Sequence, residues 1–219
     1  LPFIGSNGRA GKSDIMICEA CEYVDTFLKL SPAISIILNI DADHLEYFGS
    51  LENIIKSFHQ FANQTSKVLI VNGDDENVKK AIKDIQDVKI ITFGLGADND
   101  YSAANIKEEP NVFEDFTLMK QGTPPTDIRL SVPGKHNIMN ALAAAATADY
   151  FGISGNDIAK GLHDFTGVHR RFERLGTFHD IVVADDFAHP HTELTATLTA
   201  AMHMGFKNVW AIFQPHTYS

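Results

Sequence analysis

Short apolar runs separated by stretches of helical periodicity constrain the fold of this chain more than any other feature of its sequence. Residues 33–40, 68–71 and 88–93 are apolar almost throughout, which is typical of strands buried on both faces of a sheet. Between these runs, apolar residues recur at helical spacing over about residues 51–62 and 76–85. Strands that alternate with helices predict an α/β fold with a mostly parallel sheet flanked by helices.

Two further regions extend this sheet. An apolar run at residues 15–18 predicts one more buried strand ahead of the others. Short alternating segments over residues 101–132 are broken at Pro110, Gly122 and Pro124. Such breaks between short strands predict antiparallel hairpins, which we place at one edge of the sheet.

The last third of the chain predicts the start of a second structural unit. Its predicted elements are a helix from Gly134 to about residue 150, a helix over 156–165, a strand over 178–184, a helix over 194–202 and a strand over 209–213. The final strand, helix and strand form a βαβ pattern typical of a Rossmann-like domain. We therefore predict one domain over residues 1–172 and the beginning of another over residues 173–219.

Composition excludes several classes of protein. The chain has 18 Lys and Arg against 28 Asp and Glu, a formal net charge of −10, which argues against a general nucleic-acid binder. A local site for a small anion is still allowed. No apolar run is long enough to span a bilayer, so we expect no membrane insertion. The 2 cysteines suit a reducing compartment and predict a cytoplasmic protein. Nothing in the sequence indicates an oligomeric state.

The ends of the chain predict a fragment. It begins at Leu1, and it stops just after an apolar, strand-like run, where a loop between strand and helix is expected. We therefore expect the chain to be part of a longer protein.

Two motifs near the start of the chain resemble known functional motifs, but we interpret neither as a functional site. The segment ending at Gly11-Lys12-Ser13 resembles a phosphate-binding loop, but the required first glycine stands one position too early and a strand, not a helix, is predicted to follow. We interpret this segment as a surface turn. Cys18 and Cys21 form a C-x-x-C pair, but on a strand residues three apart point to opposite faces. We expect them to be small buried residues.

Charged side chains follow two neighbouring predicted strands at their carboxyl ends, where ligands bind in open α/β sheets. Glu19 follows the first strand, and Asp41, Asp43 and His44 follow the second. A carboxylate and an imidazole in this position can share a divalent cation with a nucleotide phosphate. The alternative is that an aspartate caps the next turn and His44 packs locally.

Two asparagines lie near the start of the long predicted helix. Asn137 and Asn140 are three residues apart and therefore adjacent on one helix face. A side-chain amide both donates and accepts, so it can pair with the edge of an adenine base. In the alternative interpretation one asparagine caps the helix and the other is solvated.

Arginines and histidines cluster around the predicted domain boundary. Arg170 and Arg171 can hold a nucleotide phosphate between two domains, or pair with surface acids. His189 and His191 follow the next predicted strand, with Pro190 between them. A contact to substrate, or a capping role, fits this loop at least as well as a metal pair.

Taken in order, these segments closely resemble the Mur ligases, over essentially the whole chain. The strings that carry the resemblance are Glu19-Ala-Cys-Glu-Tyr, Asn39-Ile-Asp-Ala-Asp-His44, Pro133-Gly-Lys-His-Asn-Ile-Met-Asn140, His169-Arg-Arg-Phe172, Asp185-Asp-Phe-Ala-His189 and Phe213-Gln-Pro-His216. The first and last strings are specific to the branch that adds L-alanine to UDP-N-acetylmuramate. The Asp-His and His-Asn-x-x-Asn strings are shared more widely in the superfamily.

The resemblance implies an ATP- and Mg²⁺-dependent ligase of peptidoglycan precursor synthesis, with UDP-N-acetylmuramate and L-alanine as its substrates. It implies that residues 1–172 are the central ATP-binding domain and that residues 173–219 begin the C-terminal ligase domain. The roles it implies are metal ligation by Glu19 and His44, catalysis by His44 and Arg171, nucleotide binding by His136, Asn137, Asn140, Arg171 and Asp186, and substrate contact by His189.

The chain also departs from the family pattern. The family's glycine-rich phosphate loop is expected upstream of Leu1, and without it we expect this chain to be inactive alone. The usual Asp-Asp-Tyr-x-His-His-Pro string reads Asp-Asp-Phe-Ala-His-Pro-His here, so the roles of Phe187 and His191 do not carry over. Two alternatives stay open: the related ligase that recycles a tripeptide onto UDP-N-acetylmuramate, and a non-catalytic nucleotide-binding module.

Overall fold

The computed structural model describes residues 5–107 and 114–215. Its main element is a six-stranded sheet in the order β1-β2-β3-β4-β5-β6. The strands are β1 (Ile34–Ile37), β2 (Val68–Asn72), β3 (Lys89–Gly94), β4 (Tyr101–Lys107), β5 (Asp115–Lys120) and β6 (Thr126–Arg129). Strands β1 to β4 pair in parallel, and β5 and β6 continue the sheet with antiparallel pairs. The predicted mostly parallel sheet with an antiparallel edge is confirmed.

The predicted helices are also present, together with a short helix, α1 (Leu45–Phe48), that was not predicted. The predicted helices are α2 (Leu51–Asn63), α3 (Glu76–Ile82), α4 (His136–Tyr150), α5 (Gly155–Asp164) and α6 (His191–His203), with a 3₁₀ turn over Tyr23–Lys29 ahead of β1. Side chains cap several helix starts. Ser50 accepts from Asn53 at α2, and Ser154 accepts from Asp157 at α5. Such caps satisfy backbone N–H groups that have no partner inside the helix.

The core lies on both faces of the sheet, as continuous apolar strands predict. Val68 and Ile70 of β2 pack with α4 and α5, whereas Leu69 and Val71 pack with α2 and α3. All four side chains are at most 1% exposed. Because side chains alternate along a strand, a single short run serves two separate cores.

Strand directions determine where α4 begins. Strand β4 is parallel to β3, β5 is antiparallel to β4, and β6 is antiparallel to β5, so β6 runs in the same direction as β1 to β4. The segment after Arg129 therefore leaves the sheet at the edge where β1, β2 and β3 also end. Helix α4 starts there, seven residues after β6.

The C-terminal region differs from its prediction. Two antiparallel strands, β7 (Glu173–Phe178) and β8 (Ile181–Asp185), form a separate hairpin, so the predicted strand over 178–184 spans its turn. Helix α6 follows as expected, but residues 206–215 form no strand, and the expected βαβ unit is not completed. The predicted strand over 209–213 was wrong because no neighbouring strand pairs with it in the described part of the chain. The domain boundary at residue 172 stays a prediction.

The predicted strand over residues 15–18 is also absent. This segment is irregular, and the exposed fractions of Met16 and Ile17 are 86% and 84%. An apolar run forms a strand only beside a partner, and residues 15–18 pair with no described strand. Cys18 and Cys21 are consequently exposed free thiols, not the buried residues expected. Residues 5–13 lie in exposed turns with no helix after them, as expected for a surface turn.

Some predictions lie outside the described residues. Pro110 belongs to the connection between β4 and β5, and His216 ends the last string of the family resemblance; neither is described. Among the described residues, no helix is both long enough and apolar enough to cross a membrane.

Candidate functional site

The carboxyl ends of β1, β2 and β3 lie along one edge of the sheet, which we call the carboxyl edge. The loops that follow these strands carry Asp41 to His44, Asp74 with Asp75, and Asn99 respectively. Helix α4 begins at the same edge, because β6, the strand before it, runs in the same direction as β1, β2 and β3. The His44 loop and the first turn of α4, which are more than 90 positions apart in sequence, therefore lie at the same edge of the sheet.

His44 stands at the start of α1 and is surrounded by carboxylates. Its Nε2 lies 3.6 Å from Oε1 of Glu22 and 3.9 Å from Oδ2 of Asp43, and its Nδ1 lies 3.5 Å from Oε1 of Glu46. The centroid of its ring is 4.6 Å from that of Tyr23. His44 itself has φ 53°, a left-handed conformation that non-glycine residues seldom adopt.

One of the carboxylates beside His44 is Glu22, which sequence reasoning did not single out. Glu19, the predicted partner, is exposed and makes no hydrogen bond or ion pair within the described residues. The two glutamates belong to the same Glu19-Ala-Cys-Glu-Tyr string. The assignment of Glu19 assumed a strand ending at residue 18, and without that strand the position of each glutamate could not be fixed from the sequence. The role of Glu19 stays a prediction.

The donors around His44 fit a cation shared with a phosphate. Mg²⁺ takes oxygen ligands and keeps several waters, so one or two protein carboxylates suffice where phosphates supply the remaining oxygens. Residues 5–107 and 114–215 contain no group of three or more His, Cys, Asp or Glu side chains arranged to hold a metal by themselves. Glu22 and Asp43 nonetheless place carboxylate oxygens near one imidazole, as a partial, phosphate-completed site requires.

The first turn of α4 contains the predicted nucleotide-binding residues. The side-chain amide of Asn137 donates to the carbonyl of Pro133 at 2.7 Å, and that of Asn140 donates to Oδ1 of Asn137 at 3.1 Å. The two asparagines are therefore adjacent, as their spacing predicted. Asn137 is held at the helix start, whereas Asn140 is exposed. The carbonyl oxygen of Asn140 accepts no hydrogen bond within the described residues.

Gly134 allows the ring of His136 to fold back over the start of α4. Gly134 has φ +99°, and a Cβ added there would come within 2.6 Å of Cε1 of His136 and 3.4 Å of Cβ of Ala200. Any other residue would be strained by its backbone and would collide with the ring. Because Ala200 belongs to α6, the turn before α4 passes close to the C-terminal region.

Around His136 the structure gathers two of the other predicted residues. Asp186 and Arg171 both act electrostatically on its ring, as does Glu193. Partial removal from water is the main reason that the pKa of His136 is lowered; Arg171 lowers this pKa further, and Asp186 and Glu193 oppose the shift. The imidazole is therefore biased toward its neutral form, which can both donate and accept a hydrogen bond.

Asp186 and Arg171 already have partners in this structure. Oδ2 of Asp186 accepts from the backbone N–H of Phe172 at 2.9 Å and from Oγ1 of Thr197 at 3.1 Å. Arg171 donates from Nη1 to Oε2 of Glu193 at 3.1 Å. The carboxylate of Asp186 therefore holds the turn at residue 172 against α6, while the guanidinium of Arg171 lies in an exposed ion pair. Sequence reasoning did not identify Glu193 as the partner of Arg171.

Phe187, where the chain departs from the family string, packs between two polar side chains. The guanidinium carbon of Arg170 lies 4.5 Å from the centre of the Phe187 ring, a cation–π distance. The ring centroids of Phe187 and His189 are 5.4 Å apart, and Nδ1 of His189 is 3.1 Å from the Phe187 carbonyl. His189 thus lies beside the turn at residues 170–172, whereas His191 begins α6 and is exposed.

Comparison with known proteins gives a consistent result. A model of the Mur ligase middle domain matches residues 2–148. A UDP-N-acetylmuramate–L-alanine ligase from Acetivibrio thermocellus is 43% identical over 222 residues, which cover 100% of this chain and 47% of that protein. The chain therefore spans about half the length of the curated relatives it matches.

Solved structures give the same family. MurF from Acinetobacter baumannii superposes with a TM-score of 0.72 at 26% identity, covering 84% of this chain and 40% of that one. UDP-N-acetylmuramate–alanine ligase from Thermotoga maritima superposes with a TM-score of 0.69 at 29% identity, covering 82% and 40%.

Proposed function

The chain belongs to the Mur ligase family through the middle domain of that family, and from this premise we propose that the protein joins L-alanine to UDP-N-acetylmuramate in peptidoglycan precursor synthesis. The reaction uses ATP with Mg²⁺. We place it in the cytoplasm, where two exposed cysteines remain reduced. The observation that supports the proposal is that the His44 loop and the first turn of α4 both lie at the carboxyl edge of the sheet.

The proposed reaction has two steps. The γ-phosphate of ATP passes to the lactyl carboxylate of UDP-N-acetylmuramate, which gives an acyl phosphate and ADP. The amine of L-alanine then attacks the acyl carbon, and an amide forms as phosphate leaves with the bonding electrons of the C–O bond. Phosphorylation is needed because a carboxylate is a poor electrophile. Mg²⁺, when bound, offsets the negative charge gathered between the two anions.

We assign the residues of this chain to three parts of the site. Glu19 and His44 hold the cation side, with Glu22 added because its carboxylate lies beside the His44 ring. His136, Asn137 and Asn140 bind the adenine end of ATP. Arg171 and Asp186 form the opposite wall of the nucleotide site, and His189 faces the muramyl and amino-acid substrates. These roles combine the positions of the residues in the structure with the roles that the family resemblance implies.

In this scheme Arg171 changes partners. Its guanidinium is paired with Glu193 through an exposed contact, and such pairs contribute at most about 1 kcal/mol. A nucleotide phosphate offers a stronger, charge-assisted partner. Arg171 can therefore leave Glu193 for the phosphate at little cost, and it stabilises the charge that develops as the phosphoryl group is transferred.

The assignment of Asn140 gives the sharpest test of nucleotide binding. In the full-length gene product, Asn140→Ala should raise the KM for ATP about tenfold, because one amide–base pair contributes about 1–3 kcal/mol. Asn156→Ala is the matched control: it is the same substitution at an exposed position of α5, and that side chain makes no hydrogen bond within the described residues. Phosphate release dependent on UDP-N-acetylmuramate and L-alanine is the assay.

Three results would contradict these assignments separately. An unchanged KM for ATP in Asn140→Ala would remove the adenine role of that residue. Release of phosphate only with a tripeptide in place of L-alanine would replace the proposed substrate with that of the recycling ligase. Absence of any ATP turnover by the full-length gene product would favour a non-catalytic module.

A further inference from the structure

The backbone of Ile40 is held by two side chains from the start of α3. The side-chain amide nitrogen Nδ2 of Asn77 donates to the Ile40 carbonyl at 2.9 Å, and Oδ2 of Asp75 accepts from the Ile40 N–H at 3.4 Å. We call this pair of hydrogen bonds the Ile40 clamp. It lies at the carboxyl edge, because α3 begins directly after β2 and Ile40 follows β1.

The clamp lies just beyond the last backbone hydrogen bonds between β1 and β2. The last paired residues of β1 and β2 are Ile37 and Val71, and one position further the side-chain amide of Asn72 donates to the Leu38 carbonyl at 3.0 Å. Beyond β1, side chains from the end of β2 and the start of α3 thus replace the backbone ladder. A backbone N–H or carbonyl left without a partner here would cost free energy, so these amides have a definite structural use.

Ile40 lies four residues before His44. Its side chain is 3% exposed and packs in the core with Phe48 and Val78, so side chain and backbone are held by the same helix. From Ile40 onward the segment closes on itself: the N–H of Asp43 donates to the Asp41 carbonyl at 2.9 Å. A compact turn attached at one fixed point transmits the position of that point to the side chain at its end.

From these contacts we infer that Asp75 and Asn77 are positioning residues that hold His44 at the carboxyl edge through Ile40. The role of His44 in this inference rests on the proposed function, whereas the clamp itself does not depend on that function. Asp75 has a second duty, since its Oδ1 accepts from the N–H groups of Asn77 and Val78 and caps α3. Among the described residues, the side chain of Asn77 makes only the contact to Ile40 and a long one from Lys80 at 3.4 Å, so it is the better residue to change.

Asn77→Asp removes the donor without removing volume. A carboxylate cannot donate to the Ile40 carbonyl, yet an acidic side chain in the first turn of a helix is favourable, so α3 itself is not weakened. Lys79→Gln is the matched control. It changes the charge of α3 by the same amount, and within the described part of the chain the ion pair of Lys79 is an exposed one with Glu76.

The first measurement is amide hydrogen exchange over residues 38–44 in the full-length protein without metal or nucleotide. Asn77→Asp should exchange there about fivefold faster than the unchanged protein, while residues 68–72 of β2 exchange at the same rate in both. Lys79→Gln should exchange like the unchanged protein. Equal exchange over residues 38–44 in the two variants would overturn the clamp.

The second measurement is the Mg²⁺ concentration that half-saturates the ligase reaction. Asn77→Asp should raise it about tenfold and lower kcat, with the KM for L-alanine unchanged, because residues that orient metal-site side chains have effects of this size. Lys79→Gln should leave all three values unchanged. A half-saturating Mg²⁺ concentration that is equal in both variants would overturn the positioning role. If the unchanged protein ligates nothing, the proposed function has failed, and hydrogen exchange alone decides for or against the clamp.

Discussion

The six-stranded sheet and the β7–β8 hairpin contain similar apolar runs but bury them very differently. In the sheet, Val71 of β2 and Phe93 of β3 are 0% exposed, whereas in the hairpin Phe178 and Ile181 are 62% and 65% exposed. The difference lies in what covers them. Helices pack on both faces of the sheet, whereas no residue of the two-stranded hairpin belongs to either core cluster formed by the described residues. An apolar pattern thus predicts a strand, but burial depends on elements elsewhere in the chain.

Truncation of one leucine in each region should give the largest difference. Leu142 of α4 is 0% exposed, so Leu142→Ala should lower the free energy of unfolding by about 2–5 kcal/mol through lost burial and the cavity left behind. Leu198 of α6 is 39% exposed, and the same substitution there should cost less than about 1 kcal/mol. Urea unfolding of both variants is the measurement. Equal losses would mean that the C-terminal region has a core of its own.

The same comparison explains what could be predicted from the sequence. Strands β1, β2 and β3 and the antiparallel edge of the main sheet were predicted because neighbouring strands and helices lie close together in the sequence; the parallel pairing of β4 with β3 was not predicted. Residues 15–18 and 209–213 have equally apolar patterns, yet neither forms a strand, because no described strand pairs with either. Local pattern cannot report whether a distant partner exists.

Prediction of the site had the same limit. Asn137 and Asn140 are adjacent as expected, because helical spacing fixes their relation locally. The pairing of His44 with Glu22 was missed, because it depends on the path of an irregular segment. Glu193 was missed for a related reason: its contact with Arg171 spans 22 residues and joins a turn to a helix. Long-range contacts between irregular segments have no period from which they can be recognised.

A second prediction uses a buried polar network at the far end of α4. Asp149 accepts hydrogen bonds from Lys120 at 2.7 Å and from the hydroxyl of Tyr101, beside a cavity of about 200 Å³. Burial raises the pKa of Asp149, but the hydrogen bonds from Lys120 and Tyr101 outweigh it, and the pKa is lowered overall. A carboxyl whose pKa is lowered in the folded chain stabilises the fold at pH values above its ordinary pKa of 3.8. This contribution is lost as the pH falls through the lowered pKa.

Asp149→Asn should therefore lower the free energy of unfolding by about 1 kcal/mol at pH 7, a value reduced for partial solvent exposure, and the difference from the unchanged chain should vanish in strong acid. Asp185→Asn, in the hairpin, removes an exposed pair with Arg170 at 3.6 Å and should have a smaller effect at pH 7. Unfolding by urea at pH 7 and pH 3 measures both. An effect of Asp149→Asn that is as large at pH 3 as at pH 7 would exclude the ionised carboxylate as its source.

The smallest effect is expected where the hairpin is most exposed. Ile181→Thr keeps the β-branched shape that suits a strand but replaces the ethyl group on Cβ with a hydroxyl. Because Ile181 is already 65% exposed, the substitution returns little apolar surface to water. We expect the free energy of unfolding to change by less than about 0.5 kcal/mol, measured by urea unfolding of this chain. Ile91→Thr in β3 is the matched substitution at 5% exposure and should cost about 1–3 kcal/mol, because it buries a hydroxyl in an apolar core. A loss in Ile181→Thr as large as that in Ile91→Thr would show that the exposed face of the hairpin is covered in solution.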